Sequence, residues 1–128
     1  MDLYLSPSLI RSCLSAARAA HPNESIALLH GHLEANGDII LDKMTIPSGI
    51  SVARGSSQFL PWMLPNDVQY LGVFHSHPIG SAKPSRGDLL AAGREGGVQL
   101  IICFPYRPSD LKAYRADGTP MEYMIRDE

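Results

Sequence analysis

The sequence predicts an α/β domain of the α+β kind: a mixed β-sheet flanked by helices, with residues 1–128 forming one unit. Three observations carry this. Residues 6–20 place apolar side chains at helical spacing, several short segments have strand length and strand patterning, and residues 98–104 form a nearly unbroken apolar run. Such a run suits a central strand covered on both faces.

The elements follow in order. Leu9, Ile10, Cys13, Leu14 and Ala17 recur along one helical face, with Ser6 as N-cap and Pro7 at the first helical position. His21-Pro22 ends this helix, because a residue before proline avoids the helical region. Residues 25–35 and 38–45 read as strands joined by Asn36-Gly37, a two-residue hairpin signal. Residues 48–59 hold a further strand, and residues 61–67, with Pro61 and Pro65, form a loop. An apolar strand is expected over residues 70–75, a Gly/Ser/Pro loop over 79–84 and a second helix over 85–94, stopped by Gly96-Gly97. After the central strand, residues 105–110 turn the chain. Residues 111–115 and 121–126 read as late strands around Asp117-Gly118.

Composition excludes several classes. Hydrophobic residues make up 45% and charged residues 19%, which is not the composition of a disordered chain. The net charge is −2, from 13 acidic and 11 basic residues, so the basic excess of a nucleic-acid binder is missing. No cluster of Lys or Arg marks an anionic membrane surface, and the longest apolar run is far short of the ~20 residues that span a bilayer. Asp2 and the absence of a cleavable apolar core near the N-terminus argue against a signal peptide. Cys13 and Cys103 lie far apart in apolar segments and read as reduced packing residues of a cytoplasmic protein. Nothing in the sequence fixes an oligomeric state.

The chemistry concentrates between His75 and Asp88. Residues two apart on an extended backbone project to one face, so His75 and His77 can converge on one ion. Pro78 then stops the strand from continuing as an ordinary central one. Asp88 follows at a distance that lets the chain loop back and add a carboxylate. Two imidazoles and one carboxylate leave a metal coordination position open, as in catalytic rather than structural zinc sites. Ser85 and Asp88 also form the S-x-x-D pattern of a helix cap, which is the plainer reading of that pair alone. The five positions together, H-x-H-P-x6-S-x2-D, recur by accident once in ~3 × 10⁶ starting points at average residue usage.

This stretch resembles the zinc signature of the JAMM (MPN+) metalloprotease family. That family carries H-x-H, then ten residues, then Asp, with Ser three before the Asp and a Glu near the start of the first strand after the first helix. Glu24, in Pro22-Asn23-Glu24-Ser25-Ile26, matches that last position. The likeness covers nearly the whole chain and is similar to the compact archaeal and bacterial members. It implies an MPN/JAMM-like (cytidine-deaminase-like) fold, with Zn2+ held by His75, His77 and Asp88. It further implies that zinc-bound water is the nucleophile and that Glu24 is the general base that later protonates the leaving amine. Ser85 would donate to the developing oxyanion. The implied substrate is an amide or isopeptide bond after the C-terminal tail of a ubiquitin-like modifier. Alternatives are processing of a ubiquitin-like sulfur-carrier protein and a non-catalytic MPN scaffold.

Two other features have plainer readings. His30-Gly31-His32 is a second H-x-H that could draw on Asp38 or Asp42, but it reads first as strand decoration. Trp62-Met63-Leu64 reads as a loop tucked onto the core, or as a wall of a groove for an extended tail.

Overall fold

Ser6 caps the first helix as its residue type predicts: its Oγ accepts the Leu9 amide at 3.1 Å, and Pro7 fills the first turn, where no backbone donor is needed. This helix, α1 (Pro7–Ala20), buries Leu9, Cys13, Leu14 and Ala17. The structure, a computed structural model, describes residues 2–46, 52–53, 56–57, 70–84 and 97–127. Among these residues α1 is the only α-helix; the helix expected over 85–94 and the Trp62-Met63-Leu64 segment lie outside them.

The strands are β1 (Leu3–Leu5), β2 (Ile26–Leu33), β3 (Ile39–Thr45), β4 (Val52–Ala53), β5 (Ser56–Ser57), β6 (Gly72–His77), β7 (Val98–Cys103), β8 (Leu111–Tyr114), β9 (Pro120–Met121) and β10 (Met124–Ile125). Eight of them form one mixed sheet in the order β10-β1-β3-β2-β6-β7-β8-β9, while β4 and β5 pair with each other. The outermost strands, β9 and β10, are separated in sequence by Glu122 and Tyr123 alone, so the sheet curls until its two margins lie close together. Inside the curl, α1 packs against Leu5, Leu29, Leu41, Phe74, Leu100 and Ile102. Burying each such aliphatic side chain contributes about 1.5–3 kcal/mol before the entropy of ordering is subtracted.

The expected mixed sheet is present, with four differences in detail. The β2–β3 connection closes on the Glu34–Asp38 pair, so its loop is Ala35, Asn36 and Gly37 rather than two residues. Gly37 sits at φ 95°, the left-handed position that lets a three-residue hairpin keep the strands in register. Strand β6 runs through to His77, two residues beyond the expected end, because Pro78 rather than His75 breaks it. The segment 121–126 is not one strand: β9 pairs with β8 and β10 pairs with β1, at opposite margins. Finally β1 was not expected, since three residues carry no readable period.

Candidate metal centre

Strand β6 lies near the middle of the sheet, antiparallel to β2 and parallel to β7, and all six of its residues are buried. Val73, His75 and His77 alternate onto the outer face, away from α1, while Phe74 packs inward. His75 is 1% exposed and His77 9% exposed. The parallel register sets Ile101 beside His75 and Cys103 beside His77, so an apolar wall flanks the two rings on the β7 side. Low dielectric there strengthens any charge interaction the rings make.

The orientation of His77 is fixed by the loop that follows it. His77 Nδ1 lies 3.0 Å from the carbonyl oxygen of Ser81. A carbonyl can only accept, so Nδ1 carries a proton, and in the neutral ring the lone pair resides on Nε2. This arrangement is the one metal-binding histidines adopt.

Glu24 approaches from β2. The ladder between β2 and β6 pairs Ile26 with His75. One step further, the Ser76 amide donates to the Ser25 carbonyl at 3.0 Å. The return bond, which a regular antiparallel pair closes onto the backbone carbonyl, goes instead to the Ser76 hydroxyl at 2.7 Å. Glu24 and His77 are the next residues along the two chains from this pinned pair. Glu24 is 7% exposed, a burial that carboxylates reach only where a partner or a function holds them.

The approach to Glu24 is anchored as well. His21 Nδ1 is 2.8 Å from the Tyr106 hydroxyl, its ring stacks on Phe104 at 4.8 Å, and an Arg18 nitrogen donates to the Tyr106 carbonyl at 2.9 Å. Because Phe104 continues β7 and its amide donates to the His77 carbonyl at 3.1 Å, this cluster ties the end of α1 to the end of the histidine strand. Desolvation, with Cys103 second, raises the Tyr106 phenol above its ordinary pKa, so it stays protonated and available to donate. In the sequence, His21 shows only as a helix end, and Tyr106 carries no local signal. Their side-chain contacts span more than eighty positions, and no local pattern announces them.

The structure therefore brings Glu24, His75 and His77 to one end of two adjacent strands. Ser85 and Asp88 lie outside the described residues. Among the described residues, no three His, Cys, Asp or Glu side chains are grouped so as to hold a metal ion. The alternative site at His30 and His32 finds no third donor there: Asp38 is engaged by the Asp2 amide at 2.8 Å and by Asn36 at 3.1 Å. Both cysteines are free thiols, Cys13 fully buried and pushed up to about 12 by desolvation, Cys103 half-buried.

Comparison with known proteins identifies the family. The family described as prokaryotic homologs of the JAB domain matches residues 6–117. A "Probable metalloprotease" of Haloferax volcanii is 33% identical over 120 residues, covering 89% of this chain and 73% of that protein. The crystal structure of a JAB1/MPN domain protein from Archaeoglobus fulgidus is 32% identical with a TM-score of 0.71, over 99% of this chain and all of that one. A structure described as a JAMM metalloprotease-like zinc site in the proteasome and signalosome is 30% identical with a TM-score of 0.72, over the same shares. No described helix is long and apolar enough to cross a membrane. Matched in sequence along most of its length and in fold along nearly all of it, the chain belongs to the prokaryotic JAB branch of the JAMM/MPN family, a metalloprotease-like family.

Proposed function

We propose that this protein is a zinc-dependent metallopeptidase that hydrolyses the amide or isopeptide bond after the C-terminal tail of a ubiquitin-like modifier. The observation that carries the reading is the pairing of two buried histidines on one face of β6, one with its tautomer set by the Ser81 carbonyl, with a buried carboxylate at the adjoining end of β2. His75, His77 and Asp88 are the residues that hold zinc. The donor set fits it: two neutral imidazoles and one carboxylate suit a borderline cation and leave room for water. Zinc, when bound, supplies a Lewis acid that brings the pKa of water to about 7 and polarises a carbonyl.

The chain's own residues do the rest. Glu24 accepts the proton of the attacking water and delivers it to the departing nitrogen, so the amine leaves neutral. Its burial excludes the bulk water that would otherwise compete for that proton. Such proton transfer is worth about 10²–10⁴ in rate. Ser85 donates a hydrogen bond to the oxyanion. The tail is extended and ends in small residues, which suits an approach to a site between strand ends.

The test pairs metal analysis with turnover. Zinc-loaded protein is incubated with ubiquitin-like conjugates and linear precursors, with a chelator control, and the products are read by mass. Cleavage after the modifier tail, abolished by chelator and by Glu24→Gln with zinc retained, is the expected result. A Glu24→Gln protein that still cleaves would remove Glu24 from the mechanism. Zinc uptake with no turnover of any substrate would reduce the site to a structural one.

A further inference from the structure

The loop after Pro78 is held from two strands away, and this gives a residue outside the metal site a role in it. The Tyr114 hydroxyl donates to the Ala82 carbonyl, and Tyr114 is 8% exposed. Ala82 is equally buried and packs with Tyr114 and Ile101, so the side chain and the backbone of this residue are fixed to the same neighbours. Its preceding residue, Ser81, supplies the carbonyl that accepts from His77 Nδ1 at 3.0 Å. One peptide unit thus separates the atom that orients the His77 ring from the atom that Tyr114 grips. Without that grip, the loop runs from Pro78 to Pro84 over an exposed surface: Ile79, Gly80, Ser81 and Lys83 are all exposed.

We propose that Tyr114 is a positioning residue for the zinc site: by clamping Ala82 it holds the Ser81 carbonyl where it keeps His77 as the Nδ1–H tautomer and aims Nε2 at the metal. The clamp rests on the reading of His75 and His77 as zinc ligands. Outer partners of metal-bound histidines lower metal affinity by 10–100-fold when removed, because the ring then samples other orientations and tautomers. The alternative role for Tyr114 is packing alone, on Ala82, Ile101 and the β7–β8 register. Tyr114→Phe separates the two roles, since it keeps the ring and its packing and removes one hydroxyl.

The experiment measures zinc affinity of the full chain by competition with a chromogenic chelator, together with nitrogen-detected NMR of the His77 ring without metal. Tyr114→Phe is expected to bind zinc about 10-fold more weakly than the native chain. Its His77 Nδ1–H signal is expected to weaken or broaden while the rest of the spectrum is kept. Tyr114→Leu, which removes the ring as well, controls for packing: it loses thermal stability further but weakens zinc no more than Tyr114→Phe. Zinc affinity of Tyr114→Phe within twofold of the native value, with the Nδ1–H signal unchanged, overturns the clamp. A native chain that takes up no zinc overturns the proposed function and the clamp's role at a zinc site with it, whereas a native chain that binds zinc beside an unaltered Tyr114→Phe overturns the clamp alone.

Discussion

Two strands of this protein carry the pattern His-x-His, and they have little else in common. His75-Ser76-His77 ends a strand buried along its whole length, with neighbours on both sides. His30-Gly31-His32 ends a strand whose last residues are open, beside a bulge in β3 where Asp42 has no opposite number. One ring of the first pair is oriented by a backbone carbonyl; the second pair lines a cavity of about 360 Å3 with Tyr70 and Leu71. The middle residues differ most. Ser76 uses its hydroxyl to grip the Ser25 amide, whereas a Cβ at Gly31 would meet the Ile40 carbonyl oxygen at 1.8 Å. Spacing brings two imidazoles to one face in both places. What separates a candidate centre from a decorated strand end is burial and a neighbouring strand pinned so that a carboxylate arrives beside it.

The sharpest way to break this comparison is to remove each pair. His75→Ala or His77→Ala should abolish near-stoichiometric zinc uptake, while the double variant His30→Ala/His32→Ala should leave it unchanged. Retained zinc in the first set, by metal analysis of gel-filtered protein, would transfer the centre to the wrong pair or to neither.

Exchanging the middle residues comes next in size. Gly31→Ser forces β2 and β3 apart and is expected to cost about 3 kcal/mol in denaturant unfolding, the upper end of the usual range for one substitution. Ser76→Ala keeps the backbone but strands a buried Ser25 amide, at about 1–3 kcal/mol. If Gly31→Ser proves the milder of the two, the close approach of β3 is softer than the distances state.

The smallest effect concerns the acid that the second pair lacks. The Asp2 amide, followed by Asn36, holds the Asp38 carboxyl below the ordinary carboxylate range. A depressed folded value means that the ionised form stabilises the hairpin above about pH 4, and that the gain is lost as pH falls through the folded value. Asp38→Asn should therefore lower the urea midpoint slightly at pH 7, and the gap to the native chain should shrink toward pH 3. A gap independent of pH would free Asp38 from the hairpin and return it as a donor for His30 and His32.

Sequence made much of this legible, for identifiable reasons. The cap at Ser6, the break at His21-Pro22 and the turn at Gly37 are local, so residue type announces them. The body of β6, expected as far as His75, and the apolar strand β7 show because burial on both faces leaves an apolar signal. What stayed hidden depends on distant partners. The Ser76 grip on Ser25 joins residues 51 positions apart, and the Tyr114 clamp joins residues 32 apart. Both use ordinary residue types in ordinary strands. The division of 121–126 into two strands was equally silent, because two-residue strands are set by the margins they meet rather than by their own pattern.

That division has a consequence for the order in which the protein is made. Tyr4 and Leu5 take Met124 and Ile125 as parallel partners, while Pro120 and Met121 complete the opposite side. On a ribosome the first strand emerges with its final neighbour still more than a hundred residues from synthesis, and pairings this remote are the slow ones. The helix packs on strands made earlier, and the pairing of Tyr4 and Leu5 with Met124 and Ile125 is the step that buckles the belt.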